Sequence, residues 1–427
     1  MYLRGSKWSM QRRRKRTHPF LMAVLVILIA TFFYVDRVVV PQTGPLFIPT
    51  PTPTRDPGSF IAEGQTAFTA GKIAKAIDAY KQAVLANGTD VSTYITLAQL
   101  QIYNHAYTDA LSNAGNALLL APNNATALAL KGYAQYSTAD YTGAEVTLKN
   151  AIETDPNNPL GHAFYAEFIA NEVVGRNQIR PLGINEAIDE AHKAIDLGQN
   201  TVEAHKAYGF VLYFTRNYAQ AIEQYQMGIG INKNIADLYI GLGQCYEAKD
   251  ETRDQAVEAY LKAIPLNPTD PDPDIYLANV YFEKGQYPMA IQYSELAVKA
   301  DPTNPMRYGA LGYYLRRNNQ GDQAVTALEL FIKGGTNSDG QVVKGVPLSR
   351  DAKTSLYYAA YGIALADLGR CSEALPVSQM LLNALPDDEN AVFNANTILD
   401  TCKQHLEGTF TPTPAPKEAG GSATPAP

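Results

Sequence analysis

One spacing constrains this chain more than any other feature. An alanine recurs at Ala76, Ala110, Ala144, Ala187, Ala221, Ala256, Ala290, Ala324 and Ala374, and five of the eight steps between them are 34 residues. A second small-residue series precedes it, at Gly64, Ala98, Gly132, Ala166, Gly209, Gly243, Ala278, Gly312 and Gly362. A third follows each alanine by seven residues, from Ala83 and Ala117 through Ala263 and Ala297, with Phe331 and Leu381 as larger exceptions. Prolines close several units, at Pro122, Pro156, Pro268, Pro302 and Pro386. A fixed period of this length signals one supersecondary unit stacked many times. Small residues let two antiparallel helices approach where their axes cross, and proline stops the second helix and sets the turn into the next unit. Larger residues between them, such as Tyr80, Leu97, Leu148, Tyr225, Leu242 and Tyr260, fill the gaps between helices. No single hairpin buries its apolar face, so stacking supplies the core. The 427 residues are long for one compact domain, and 27 Tyr against one Trp suit an open architecture with wet ring edges.

The segments Gly285-Gln286-Tyr287-Pro288-Met289-Ala290-Ile291-Gln292-Tyr293, running on to Ala300-Asp301-Pro302-Thr303-Asn304, and Asn217-Tyr218-Ala219-Gln220-Ala221-Ile222-Glu223-Gln224-Tyr225 carry a further likeness. The pattern resembles the tetratricopeptide repeat family, and nine units in register cover residues 57–388. The resemblance implies an all-α fold: a right-handed α-solenoid of about nine helical hairpins whose first helices line a concave face. The units expected are 57–90, 91–124, 125–158, 159–201, 202–235, 236–270, 271–304, 305–354 with an inserted loop at 334–351, and 355–388. Residues 389–405 read as an amphipathic capping helix through Ala391, Val392, Ala395, Ile398 and Leu399. Two insertions depart from the period, Glu172–Leu182 in the fourth unit and Gly334–Asp351 between the eighth and ninth. They are either tolerated surface loops or parts of a partner site.

The amino terminus is different in kind. Residues 1–18 carry Arg4, Lys7, Arg12, Arg13, Arg14, Lys15 and Arg16 with no acid, so a net charge of −7 leaves −14 on the remainder (−7 less +7). An acidic body argues against a nucleic-acid partner. Phe20 to Val35 is apolar apart from Thr31, and counting through Asp36 and Arg37 to Val40 gives 21 residues. Residues 19–40 are therefore expected to form a transmembrane helix, with the basic segment 1–18 on the cytoplasmic side and the repeat body extracytoplasmic. A cleaved signal peptide is the rival, disfavoured because no small-x-small site follows the apolar run. Residues 41–56, containing Pro49-Thr50-Pro51-Thr52-Pro53-Thr54, read as an extended linker, and 406–427 as a Pro/Thr/Ala-rich disordered tail.

Catalytic signatures are lacking. The sequence has no nucleotide-binding glycine loop, nucleophile elbow or metal-ligand pair at helical spacing, so neither an enzyme nor a cofactor or metal is expected. His18, His105, His162, His192, His205 and His405 fall in different segments and read as surface or packing residues. Asp270-Pro271-Asp272-Pro273-Asp274 reads as an acidic turn between repeats rather than a cation site. Cys371 starts the second helix of the ninth unit and Cys402 lies near the end of the capping helix. In stacked hairpins those ends come close, leaving a disulfide or two unpaired packing thiols as the alternatives.

Within the family the inner face of the first helices commonly takes an extended peptide or a partner helix. Applying the repeat register points Phe68, Gln99, Ile102, Tyr103, Tyr133, Tyr136, Lys206, Phe210, Tyr213, Phe214, Gln244, Asn279, Phe282, Tyr313, Arg316 and Arg317 inward. Aromatic residues make good interface anchors. The basic and Asn clamp that some members use for acidic chain termini is missing, since the first two units offer Gln65, Thr69, Ile95 and Gln99 instead. The resemblance therefore implies a scaffold of membrane-anchored bacterial type for protein or peptide partners, in assembly of cell-envelope complexes. A non-catalytic regulatory subunit of an envelope enzyme or secretion system is the alternative.

Overall fold

The computed structural model describes residues 19–35, 37, 55–176, 183–249 and 252–411. The basic segment 1–18, the Pro/Thr stretch at 49–54, most of the second half of the first insertion (177–182) and the tail from 412 lie outside the described residues. The chain divides into two units, Met1–Arg55 and Asp56–Pro427.

Among the described residues the first unit holds one α-helix, α1 (Pro19–Tyr34), exposed along its length. Thr31 turns its hydroxyl back onto the carbonyls of Ile27 and Leu28, both at 3.0 Å, which hides its polarity within the helix. Sixteen residues span about 24 Å, short of the roughly 30 Å of a hydrocarbon core. Among the described residues no helix is long and apolar enough to cross a membrane. This corrects the expectation of a single-pass membrane protein with an extracytoplasmic body. The count of 21 carries the span through Asp36 and Arg37 to Val40, whereas the α-helix is assigned to the sixteen residues Pro19–Tyr34; residues 36 and 38–40 lie outside the described residues.

The second unit is an all-α solenoid. Its hairpins pair α2 (Pro57–Thr69) with α3 (Ile73–Ala86), α4 (Val91–Tyr103) with α5 (Tyr107–Leu120), and α6 (Ala125–Ser137) with α7 (Tyr141–Thr154). They continue as α8 (Pro159–Ala170) with α9 (Ile184–Leu197), α10 (Val202–Phe214) with α11 (Tyr218–Ile231), and α12 (Ala236–Glu247) with α13 (Arg253–Ala263). The last are α14 (Asp272–Glu283) with α15 (Tyr287–Ala300), α16 (Pro305–Arg317) with α17 (Gly321–Lys333), and α18 (Ala352–Asp367) with α19 (Cys371–Ala384). The helix α20 (Glu389–Glu407) packs on both members of the final pair. Each hairpin crosses on the alanine series, all nine members of which are fully buried. The preceding small residue is needed too: a Cβ on Gly132 would sit 2.7 Å from Leu148 Cγ.

Local sequence explains both kinds of turn. Between hairpins, an Asp or Asn just ahead of the first helix caps it. Asn124 accepts from Ala127 N, Asn158 from Leu160 N, Asn304 from Met306 N, and Asp388 from Asn390 N and Ala391 N. Each stands two residues after a unit-closing proline. Within hairpins, one turn residue takes a left-handed conformation. Glycine fills that place at Gly71, Gly285 and Gly369, but His105, Ala139, Arg216 and Asn319 fill it elsewhere.

The two insertions differ in structure. In the fourth unit α8 runs on into a π-helical turn at Asn171–Gly175. The second contains an antiparallel pair, β1 (Gly334–Thr336) and β2 (Val342–Lys344), where a loop was expected. This hairpin is fastened to the core. Val343 is buried, Val346 N donates to Phe331 O at 2.8 Å, and Asn337 Nδ2 donates to Pro302 O at 3.0 Å and to the Tyr308 hydroxyl at 3.1 Å. At the end of the array Cys371 and Cys402 are disulfide-bonded, with Cα atoms 5.5 Å apart, tying α19 to α20. Cys245 is a free, buried thiol.

Candidate functional site: the inner face of the first helices

The first helices pack on one another in succession, α4 on α6, α6 on α8, α8 on α10 and α10 on α12. Their inward residues fall into two groups. Ile102, Tyr103, Tyr133 and Lys206 are buried. Phe68, Gln99, Tyr136, Phe210, Tyr213, Phe214, Gln244, Asn279, Phe282, Tyr313 and Arg316 are half-buried, and Arg317 is exposed.

The buried group is covered because the array meets itself across its inner side. Gln99 Nε2 donates to the Tyr103 hydroxyl at 2.9 Å and to Glu203 Oε1 at 2.5 Å, although Glu203 lies 104 residues further on. The Tyr103 hydroxyl donates to the same Glu203 oxygen. Phe68 stacks on Tyr103 with ring centroids 6.1 Å apart. Asn234 Nδ2, ahead of α12, donates to the carbonyls of Phe68 and Thr69 at the end of α2, both at 3.0 Å. Residues of α2, α3 and α4 consequently share one apolar core with residues of α10, α11 and α12.

A charged cluster lies beside this contact. Lys206 Nζ donates to Glu167 Oε2 at 3.1 Å and to the Tyr133 hydroxyl at 3.0 Å, and stands 3.6 Å from Asp237 Oδ2. His105 Nε2 is 2.7 Å from Asp237 Oδ1, and its Nδ1 is 3.3 Å from Asp270 Oδ2. Asp272 pairs in turn with Arg307 Nη2 at 2.5 Å. Burial alone would discharge these groups, but their partners reverse that for most of them. For His105 burial lowers the pKa, yet Asp237 and Asp270 carry it up to about 9. Burial raises Asp237, but His105 and Lys206 bring it down to about 2. Lys206 is opposed by burial and held charged by Glu167 and Asp237, so its ammonium is more basic than usual. Asp270 goes the other way: burial pushes it up to about 6 against the pull of His105.

Sequence reading pointed Gln99, Tyr103, Tyr133 and Lys206 inward but missed their carboxylate partners, Glu203 for the first two and Glu167 and Asp237 for Lys206, and missed His105 as the second partner of Asp237. Glu167, Glu203 and Asp237 sit on first helices, three positions of one kind in an otherwise apolar run, and that was the available signal. His105 read as a packing residue; the structure places it in the α4–α5 turn with φ 57°, facing two carboxylates.

The half-buried group forms an aromatic row. Phe210 meets Phe214 at 4.7 Å and Phe214 meets Tyr213 at 5.7 Å, all on α10. Farther along, Phe282 lies 5.2 Å from Tyr313 and 5.1 Å from Tyr314, with the Arg317 guanidinium 5.9 Å from its ring. Asn279 Oδ1 accepts from the Tyr314 hydroxyl. Burial lowers the Arg316 pKa, while Asp367 opposes the shift. Among the described residues no group of three or more His, Cys, Asp or Glu side chains is placed to hold a metal ion.

A solenoid of small-residue hairpin crossings with first helices on one inner face defines a class. Residues 101–168 and 277–304 match family models described as tetratricopeptide repeat, so the chain carries tetratricopeptide repeats. Such repeats are scaffolds for protein–protein contact and are generally non-catalytic. The chain is 26% identical over 201 residues to anaphase-promoting complex subunit 6 of Arabidopsis thaliana, covering 47% of this chain and 35% of that one. It is 23% identical over 218 residues to stress-induced-phosphoprotein 1 of Caenorhabditis elegans, covering 50% of this chain and 62% of the other. It thus spans about a third to three-fifths of the length of these curated relatives. Among solved structures, that of Pseudomonas aeruginosa pilF is 20% identical with a TM-score of 0.39, covering 48% of this chain and 90% of that one.

Proposed function

We propose that this chain is a non-catalytic scaffold that holds a protein or peptide partner against the half-buried aromatic row of its inner face. The single observation that carries the reading is that row: Tyr136, Phe210, Tyr213, Phe214, Phe282 and Tyr313 come from four first helices and are not fully covered by the chain itself. Large rings left partly wet gain most from a partner that completes their burial, because the apolar area is already ordered and loses little entropy on binding. The buried residues of the same face, Ile102, Tyr103, Tyr133 and Lys206, serve instead to set the geometry on which the row stands. The matches to the repeat family and the likeness to a complex subunit support the reading.

Site-specific photocrosslinking tests it. A crosslinker at Phe214 or Tyr313 is expected to trap a discrete partner, and one at the exposed Leu119 on α5 is not. Tyr213→Ala combined with Phe214→Ala should abolish the Tyr313 product while leaving the helical content unchanged. If the double variant captured the same partners as wild type, the assignment of the binding face would fail.

A further inference from the structure

Near the last hairpins a basic group stands without a counter-ion. Arg316, in the last turn of α16, is half-buried, and its guanidinium makes neither a hydrogen bond nor an ion pair among the described residues. Its Nε is buried outright with no acceptor. Arg307, earlier on the same helix and half-buried too, is held by Asp272 at 2.5 Å and by Asp301 at 3.9 Å. Arg316 instead lines a cavity of about 200 Å³, where Ala364, Leu368 and Phe410 supply an apolar wall. Asp367 lines it as well. That carboxylate is exposed and forms no ion pair with Arg316 among the described residues, so water carries most of its charge. Its attraction only opposes the lowering of the Arg316 pKa by burial. Arg317, exposed and standing over the Phe282 ring, adds a second cation beside the first. Two guanidinium groups thus face one solvated carboxylate at this end of an otherwise acidic chain.

A guanidinium short of acceptors gains most from a planar anion that takes two parallel N–H bonds. A carboxylate has that shape and a single charge, whereas a phosphate dianion would meet Asp367 with greater repulsion. Tyr313 stands one turn earlier on α16, so a segment lying along the aromatic row reaches this cavity next. We propose that Arg316 is the docking point for a carboxylate side chain of the partner segment, which forks onto the guanidinium while a neighbouring apolar group covers Leu368 and Phe410. The assignment rests on the aromatic row holding that segment, and adds its chemistry: an acidic residue beside a hydrophobic one.

Ligand-observed NMR on the full chain tests the cavity, with 3-phenylpropionate as probe and 3-phenylpropanamide and inorganic phosphate as controls at constant ionic strength. The acid should bind saturably, the amide about tenfold more weakly, and phosphate at equal concentration should not displace the acid. Arg316→Gln should bring the acid down to the level of the amide. Arg316→Lys should fall between, because it keeps the charge without the fork. Neither substitution takes a bonded partner from another side chain, so the fold is not put at risk. Photocrosslinking at Tyr313 tests the partner, and its product should fall about tenfold in Arg316→Gln. Equal binding of acid and amide, no saturable binding of the acid, displacement by equal phosphate, or a Tyr313 product undiminished in Arg316→Gln would each overturn the proposal while leaving the aromatic row in place. A wild-type chain that traps nothing at either Phe214 or Tyr313 would sink the row and, with it, the acidic partner.

Discussion

His105 offers the sharpest quantitative test of the inner closure. It sits in a turn whose left-handed backbone is more often glycine's, and it reaches across 132 residues to Asp237. Its folded pKa is about 9 against an ordinary 6.5, a rise that follows although burial works against it, because Asp237 and Asp270 face the ring. A raised pKa means that the stabilisation is fully present below about 6.5 and is lost as pH climbs through about 9. By linkage the group contributes about 2.5 kcal/mol at pH 7 and less than about 0.1 kcal/mol at pH 10. The side chain is 24% exposed, so solvent screening removes only part of this. The neighbouring groups stay out of the window. Asp237 titrates near 2 and Asp270 near 6, and burial drives the hydroxyl of Tyr107, whose ring stacks on His105 with centroids 5.4 Å apart, far above its ordinary range. Urea unfolding followed by far-UV circular dichroism at pH 7, 8, 9 and 10 should show wild type and His105→Gln converging, from a gap of about 2.5 kcal/mol to almost none. Because a repeat array need not unfold in one step, amide exchange in α4 and α12 should converge in the same way. A gap that stays constant from pH 7 to pH 10 would show that His105 acts through neutral packing and would refute the ionic account.

Three other outcomes follow from named contacts. Lys206→Met leaves the buried Glu167 carboxylate without its cation, while Asp237 keeps His105, and should destabilise by about 3–5 kcal/mol; Lys206→Met with Glu167→Leu should recover much of the loss in the same urea assay. Reducing the Cys371–Cys402 bond, which spans 31 residues, should lower stability by about 3–4 kcal/mol in the chain-entropy account, seen as faster amide exchange in α18 to α20; Cys371→Ser should match the reduced wild type and no longer respond to dithiothreitol. Gly243→Ala would place a Cβ 2.4 Å from Tyr260 Cε1 and should cost about 1–3 kcal/mol, whereas Gly230→Ala, with nothing within 4 Å, should be neutral or stabilise by about 0.5–1 kcal/mol; equal effects would mean that the small residue is not required by the helix crossing.

What could be read from the sequence was whatever repeats. Ala221 and Ala290 are legible because each crossing has the same steric demand, and the prolines mark Asn124, Asn158 and Asn304 as caps by their spacing. Contacts between neighbouring hairpins inherit that periodicity. Contacts across the array do not. Gln99 and Glu203 belong to units three apart, and whether they meet depends on small rotations per hairpin that accumulate along the solenoid. His105 and Asp237, in units four apart, depend on the same accumulation. The inserted hairpin escaped for another reason. Gly334, Gly335 and Gly340 suggest a loop, while its order comes from Asn337 bonding to Pro302 and Tyr308, residues far earlier in the chain. At the amino terminus, hydropathy carries through two charges to a stretch of 21, whereas the α-helix is assigned to the sixteen residues Pro19–Tyr34.

The division of the inner face bears directly on how the array could work. A solenoid of hairpins is springy when each unit touches only its neighbours. Here the Asn234 bonds to α2, the Glu203 bonds to α4 and the His105 pair cross-brace the first six hairpins, so their curvature is fixed by directional polar contacts. Apolar packing alone would tolerate sliding; a charge-assisted pair at 2.7 Å would not, since a shift of one helical step leaves buried carboxylates unpaired. The hairpins from α14 onward are held otherwise, through the Cys371–Cys402 bond and the docked β-hairpin between α17 and α18. Both ends of the aromatic row therefore rest on braced hairpins, Tyr136 on α6 on one side and Tyr313 on α16 on the other. A row held in place before binding meets a partner with little ordering left to do, which is the condition under which a few half-buried rings can carry most of an interface.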